Sequence, residues 1–228
     1  MPKKKQVLWL KRLGLPVLAL SLLINIYQFV NYKTSDQGIL VLEVLDGDTL
    51  LLDAKVRLRL RHVDAPELEF CSGQEAKAFL ENLVKGEKII IQEKILDQRG
   101  RPLALVYLDN ILVNQEVIAS GWGRYHSDQS SKTSVLKSAG QQAKENQLGV
   151  YSPQCYQTEN LEDPDCLIKG NKDQNNRDFK RYYFPGCAQY DFTIIEKDIG
   201  EQWFCSEKEA KEAGYQRSKT CPAKKFEP

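Results

Sequence analysis

The chain has 228 residues and carries 32 Lys+Arg against 31 Asp+Glu, a formal net charge of +1. That length suits one sizeable domain with a small second one. So even a balance excludes a polycation that coats nucleic acid or membrane through its overall field, but it permits a local basic groove.

Lys3, Lys4, Lys5, Lys11 and Arg12 precede an apolar run from Leu15 to Val30, interrupted by Asn25 and Gln28. A basic leader before such a run reads as an export signal whose positive end stays in the cytoplasm. No small-x-small cleavage site follows in Asn31-Tyr32-Lys33-Thr34-Ser35, so the expectation is an uncleaved signal anchor over residues 1–32, a single transmembrane helix. Secretion after cleavage is the alternative. Residues 33–38 then form a polar linker, and the rest of the chain is expected in the periplasm or at the cell surface. Cysteines oxidise there, and the six present, Cys71, Cys155, Cys166, Cys187, Cys205 and Cys221, fit three disulfides. Six cysteines allow 15 pairings, among which the sequence cannot choose; shared domain alone suggests Cys71 with Cys155 and the last four among themselves.

Ile39–Leu45, Thr49–Asp53 and Val56–Val63 read as three strands of a meander, with the first turn at Asp46-Gly47-Asp48. Alternation puts Arg57, Arg59 and Arg61 on one face of the third strand and Leu58, Leu60 and His62 on the other. Gly73–Val84 has helical spacing, with Ala76, Phe79, Leu80 and Leu83 as its stripe. Strands Lys88–Gln92 and Leu103–Tyr107 follow, then helices over about 113–120 and 135–146. Five strands with a helix between the third and fourth are what an OB-fold barrel requires. The expected class is therefore mainly β with α, a five-stranded barrel with packed helices over residues 39–152.

Beyond Pro153 the composition shifts toward Asn, Asp, Lys and Gln. Aromatic pieces such as Tyr182-Tyr183-Phe184 and Gln202-Trp203-Phe204 exclude a disordered tail, so residues 153–228 are expected to form a small disulfide-rich module. Ser206 with Glu209 is a capping box that should start a helix, and Gly214 suits its end.

Three separated blocks carry the chemistry: Asp46-Gly47-Asp48-Thr49, Arg59 through Asp64-Ala65-Pro66-Glu67, and Asp97-Gln98-Arg99-Gly100-Arg101. Converging carboxylates suit a hard divalent cation, and Arg offers a planar fork of donors that matches phosphate oxygens. An Asp-Gly-Asp-Thr alone is an ordinary hairpin turn; it is the joint occurrence that points to a site.

At these residues, and through Leu103–Tyr107, Val113-Asn114 and Gly121, the chain resembles the thermonuclease family, staphylococcal nuclease and its relatives, over roughly residues 38–152. The resemblance implies a nuclease acting on DNA or RNA that leaves 3'-phosphate and 5'-hydroxyl ends. It implies one Ca2+ held by Asp48, Asp64 and the main-chain oxygen of Ala65, where the family usually has Thr. It further implies Glu67 as the base that acts on water, and Arg59 and Arg101 as the catalytic arginines. The tail resembles a Cys-containing module often appended to such domains in bacteria, with a Cys166-Leu167-Ile168-Lys169-Gly170-Asn171 start and a Trp203-Phe204-Cys205-Ser206-Glu207 core. It is also similar to the zinc-binding module of the Ada DNA-repair protein, but no Cys-x-x-Cys pair exists to hold zinc. The expected protein is a monomer whose partners are nucleic acid and, through residues 1–32, the membrane. Two rival readings are a non-catalytic binding module on the same barrel and a tail that itself binds the envelope.

Overall fold

The computed structural model describes residues 20–27, 38–173, 176 and 178–226. The chain divides into two compact units, Met1–Gly38 and Ile39–Pro228. In the first, residues 20–27 are helical; the remainder of the expected anchor, and the linker up to residue 37, lie outside the described residues. Among the described residues no helix is long and apolar enough to cross a membrane.

In the second unit, β1 (Ile39–Val44), β2 (Thr49–Leu52) and β3 (Val56–Leu60) form the expected meander. β4 (Val63–Asp64) follows, then helix α1 over Gly73–Val84, β5 (Lys88–Leu96) and β6 (Pro102–Leu108). The sheet runs β3-β2-β1-β5-β6 and ends on the short β7 (Ile111–Leu112); a parallel pairing of β3 with β6 closes it. The five-stranded barrel with a helix between its third and fourth strands is thus present. Its interior holds Val41, Leu50, Leu58, Leu60, Ile89, Leu105 and Val106, against which α1, α2 (Val113–Ala119) and α3 (Thr133–Glu145) pack.

The third strand stops earlier than its pattern suggests. His62 takes φ of +68°, which turns the chain and ends the alternation at Leu60. Arg61 and His62, expected on opposite faces, are in consequence both buried. Arg61 grips Asp128 through Nε at 2.6 Å and Nη2 at 3.2 Å, and His62 meets Ser130 Oγ at 2.7 Å while stacking on Tyr125. Of the arginine row, Arg57 alone is solvated.

Asn114 holds this turn to the barrel. Fully buried, it accepts the Val106 N–H at 2.8 Å and donates to the carbonyls of Arg61 at 2.8 Å and Ala104 at 3.0 Å. Asn114→Ala would strand buried backbone groups, each costing roughly 1–3 kcal/mol. We expect a loss of about 3 kcal/mol in urea denaturation; a loss below about 1 kcal/mol would show that the backbone re-pairs without it.

The tail has its own core of Ile168, Tyr182, Phe184, Phe204, Ala210 and Tyr215. It is built on a four-stranded sheet, order β13 (Gln202–Phe204), β10 (Ile168–Lys172), β11 (Lys180–Tyr183), β14 (Gln216–Arg217). β9 (Tyr156–Gln157) pairs separately with β12 (Ile195–Glu196). Helix α4 (Glu207–Glu212) starts where the capping box places it: Ser206 Oγ accepts the Glu209 N–H, and Gly214 takes φ of +84° beyond its end. All six cysteines pair, Cys71 with Cys155, Cys166 with Cys205 and Cys187 with Cys221.

Candidate active site

The β1–β2 turn, the end of β3 and β4 meet at one mouth of the barrel. Asp46 Oδ1 accepts the Asp48 N–H at 3.0 Å, which tightens the turn, and the Asp48 carbonyl accepts the Leu60 N–H at 2.8 Å, which fixes it to β3. Gly47 lets β4 come close: a Cβ there would lie 2.7 Å from those of both Ala65 and Ala76. The close approach brings the Ala65 N–H to Asp48 Oδ2 at 2.9 Å.

Asp48 is 2% exposed. Its Oδ1 accepts from Thr49 Oγ1 at 2.9 Å, and its Oδ2 lies 2.7 Å from Arg59 Nη2. The same Nη2 stands 2.8 Å from Asp64 Oδ1, so one cationic nitrogen bridges two carboxylates. Burial pushes the Asp48 carboxyl up to about 7 against the pull of Arg59 and the Ala65 and Thr49 hydrogen bonds, with Asp46 adding to the rise. A single guanidinium therefore does not fully compensate this buried acid, and the donor set, all oxygen, is that of a hard cation.

Arg59, Asp64, Ala65 and Glu67 line one narrow cleft of about 40 Å³, with Phe70 at its side. Glu67 is exposed there. Asp48, Asp64 and Glu67 do not all bring a carboxylate oxygen within 4.8 Å of one another. Among the described residues the one such trio is Asp163, Cys166 and Cys205, and its two cysteines are bonded to each other. Arg101, on the β5–β6 loop, does not line the cleft. Its Nε donates to Asp97 Oδ2 at 2.7 Å, and the side chain is 52% exposed. The backbone N–H of Arg101 is the main reason that the Asp97 carboxyl sits below its usual range.

The structure adds residues that the motifs did not mark. Asp198 and Ile199, from the tail, line the same cleft. Asp198 is 2% exposed and receives Arg124 through Nε at 2.6 Å and Nη2 at 2.8 Å. Arg124 Nη1 also donates to Glu196 at 3.0 Å, and its guanidinium lies over Tyr151. Burial opposes the charge of Arg124, yet Asp198 and Glu196 outweigh it and hold the group firmly cationic. Because Arg124 on β8 (Arg124–Tyr125) pairs with Asp64 on β4, the tail is tied to the strand that carries a site carboxylate.

The closed OB barrel thus carries at its mouth a buried and a half-buried carboxylate pinned by one arginine. Residues 57–153 match the family described as staphylococcal nuclease homologue. An uncharacterized endonuclease of Escherichia coli O157:H7 is 32% identical over 116 residues, 49% of this chain and 75% of that protein. One from Haemophilus influenzae is 29% identical over 116 residues, 65% of its length. A rice protein described as a probable staphylococcal-like nuclease is 34% identical over 75 residues, 33% of this chain. The match spans only 20% of that rice protein's length. The chain belongs to the staphylococcal nuclease family.

Proposed function

We propose that the protein is a calcium-dependent nuclease that hydrolyses phosphodiester bonds of DNA, RNA or both and leaves 3'-phosphate ends. The observation that carries this reading is Arg59 Nη2 bridging Asp48 Oδ2 and Asp64 Oδ1. Asp48, Asp64 and the main-chain oxygen of Ala65 would hold the Ca2+, which supplies positive charge to offset that of a phosphate. Arg59 then presents its remaining N–H donors to the phosphoryl oxygens, where charge builds in the transition state. Glu67, exposed at the cleft edge, takes the proton from the attacking water. The Arg101 side chain is held by an exposed ion pair with Asp97, so a phosphate competes for it readily.

We further place the enzyme outside the cytoplasm as a monomer, anchored through residues 1–32. The basic leader, its apolar run and three disulfides in Ile39–Pro228 support this.

The test is cleavage of labelled single-stranded DNA and RNA by the wild-type chain beside Glu67→Gln. Losing its general base should slow the variant by ~100- to 10,000-fold. The 3' ends of wild-type fragments should accept a 5'-phosphorylated partner in a ligation only after phosphatase has removed their 3'-phosphate. Full activity in Glu67→Gln would remove Glu67 from the proton transfer. A folded, oxidised wild-type chain that cleaved neither strand would leave the barrel as a binding module.

A further inference from the structure

We infer that the tail carries a second contact for single-stranded nucleic acid: a groove lined by Tyr156, Tyr183 and Phe192 and edged by Lys172 and Arg181, in which the exposed Phe192 stacks a base of the strand flanking the cleavage point. The inference rests on the nuclease reading for its choice of ligand. The catalytic cleft, at about 40 Å³, has room for little more than a phosphate's edge. The groove on the tail encloses about 550 Å³, within the range of sites that take a nucleotide-sized ligand.

Its composition fits that ligand. Phe192 is 83% exposed, a placement for a phenyl ring that core packing does not explain. Base faces stack on such rings irrespective of sequence, and Lys and Arg beside them attract the backbone phosphates. Arg181 already lies 4.4 Å above the ring of Phe179, an orientation that leaves a guanidinium at the surface. Of the acids lining it, Glu196 is offset by Arg124, and Asp173 keeps its charge beside Lys172 and Arg181.

The groove lies next to the catalytic cleft, with Lys172 between them. Lys172, part of its wall, donates from Nζ to the Ile199 carbonyl at 2.8 Å and lies 5.1 Å above the ring of Phe70. Ile199 and Phe70 both line the cleft. Gly200 completes the junction, since a Cβ there would meet the Phe70 ring at 2.5 Å. A strand leaving Glu67 past Ile199 would therefore reach the aromatic groove by crossing Lys172.

The experiment measures binding of the full chain, in a chelator so that nothing is cut, to fluorescent single strands of about fifteen and of two nucleotides at fixed ionic strength. Wild type should favour the longer strand. Phe192→Ala should weaken binding to it by roughly tenfold and Arg181→Gln by a smaller factor. Leu161→Ala, an exposed residue of the tail outside the groove, should match wild type. Equal affinity of wild type and Phe192→Ala for the long strand, or no long-strand preference in wild type, overturns the inference. The two readings fail separately. A chain that binds through Phe192 without cleaving keeps the groove and loses the nuclease, whereas one that cleaves while Phe192→Ala binds as wild type keeps only the nuclease.

Discussion

Arg59→Ala should lower kcat by about a thousandfold on single-stranded DNA, because it removes donors aimed at charge that develops only in the transition state. It should also change how the chain responds to calcium. In the wild type, Arg59 offsets part of the cost of burying Asp48; without it, two carboxylates face each other at the barrel mouth with no cation between them. Calcium should then raise the melting temperature of Arg59→Ala by more than it raises that of the wild type. Arg59→Lys restores a point charge between the two acids but not the guanidinium's further donors for a phosphate, so it should recover the stability and only a fraction of the rate. Wild-type kcat in Arg59→Ala would place the phosphate elsewhere.

Replacing Cys71 and Cys155 together by serine should be the most destabilising change. The bond closes a separation of 84 residues, and loop-closure entropy alone gives about 4.5 kcal/mol. In a domain of this size that corresponds to roughly 10–15 °C in melting temperature. The bond sits where the loop after Glu67 meets the segment that bears Asp198: the Cys71 N–H donates to the Lys197 carbonyl at 3.4 Å, and the Lys197 N–H to the Cys155 carbonyl at 2.8 Å. Its loss frees one wall of the cleft, so KM should rise as well. A shift under about 3 °C with unchanged KM would mean that Arg124, Glu196 and Asp198 hold the tail in place without it.

Where local chemistry decides, the sequence was readable. Helix α1 spans Gly73–Val84 as its apolar stripe marked it, and Ser206 caps α4 as the Ser-x-x-Glu spacing implied. The strands along the chain needed only period-two patterning and turn residues; Cys71 pairs with Cys155 and the last four cysteines among themselves, as domain proximity suggested, but nothing local marks Cys205 as the partner of Cys166 or Cys221 as that of Cys187. β3 was overrun because the pattern carries no mark of a left-handed His62; the constraint comes from Asn114, which sits more than fifty residues away and binds the Arg61 carbonyl. Asp48, Arg59, Asp64 and Ala65, from the first two blocks, come together, whereas Arg101 of the third rests on its own loop with Asp97. Asp198 and Ile199 were invisible for a physical reason: nothing in Lys197-Asp198-Ile199 has a motif, and their role comes wholly from a tertiary ion pair with Arg124.

The most direct test of the account is cleavage of a labelled single-stranded DNA by the oxidised wild-type chain as calcium is titrated in from a chelator. The account predicts no cleavage in chelator, recovery as calcium saturates the acids, and fragments ending in 3'-phosphates. Cleavage that persists undiminished in chelator, or none at any calcium level from a chain shown to be folded, would contradict it.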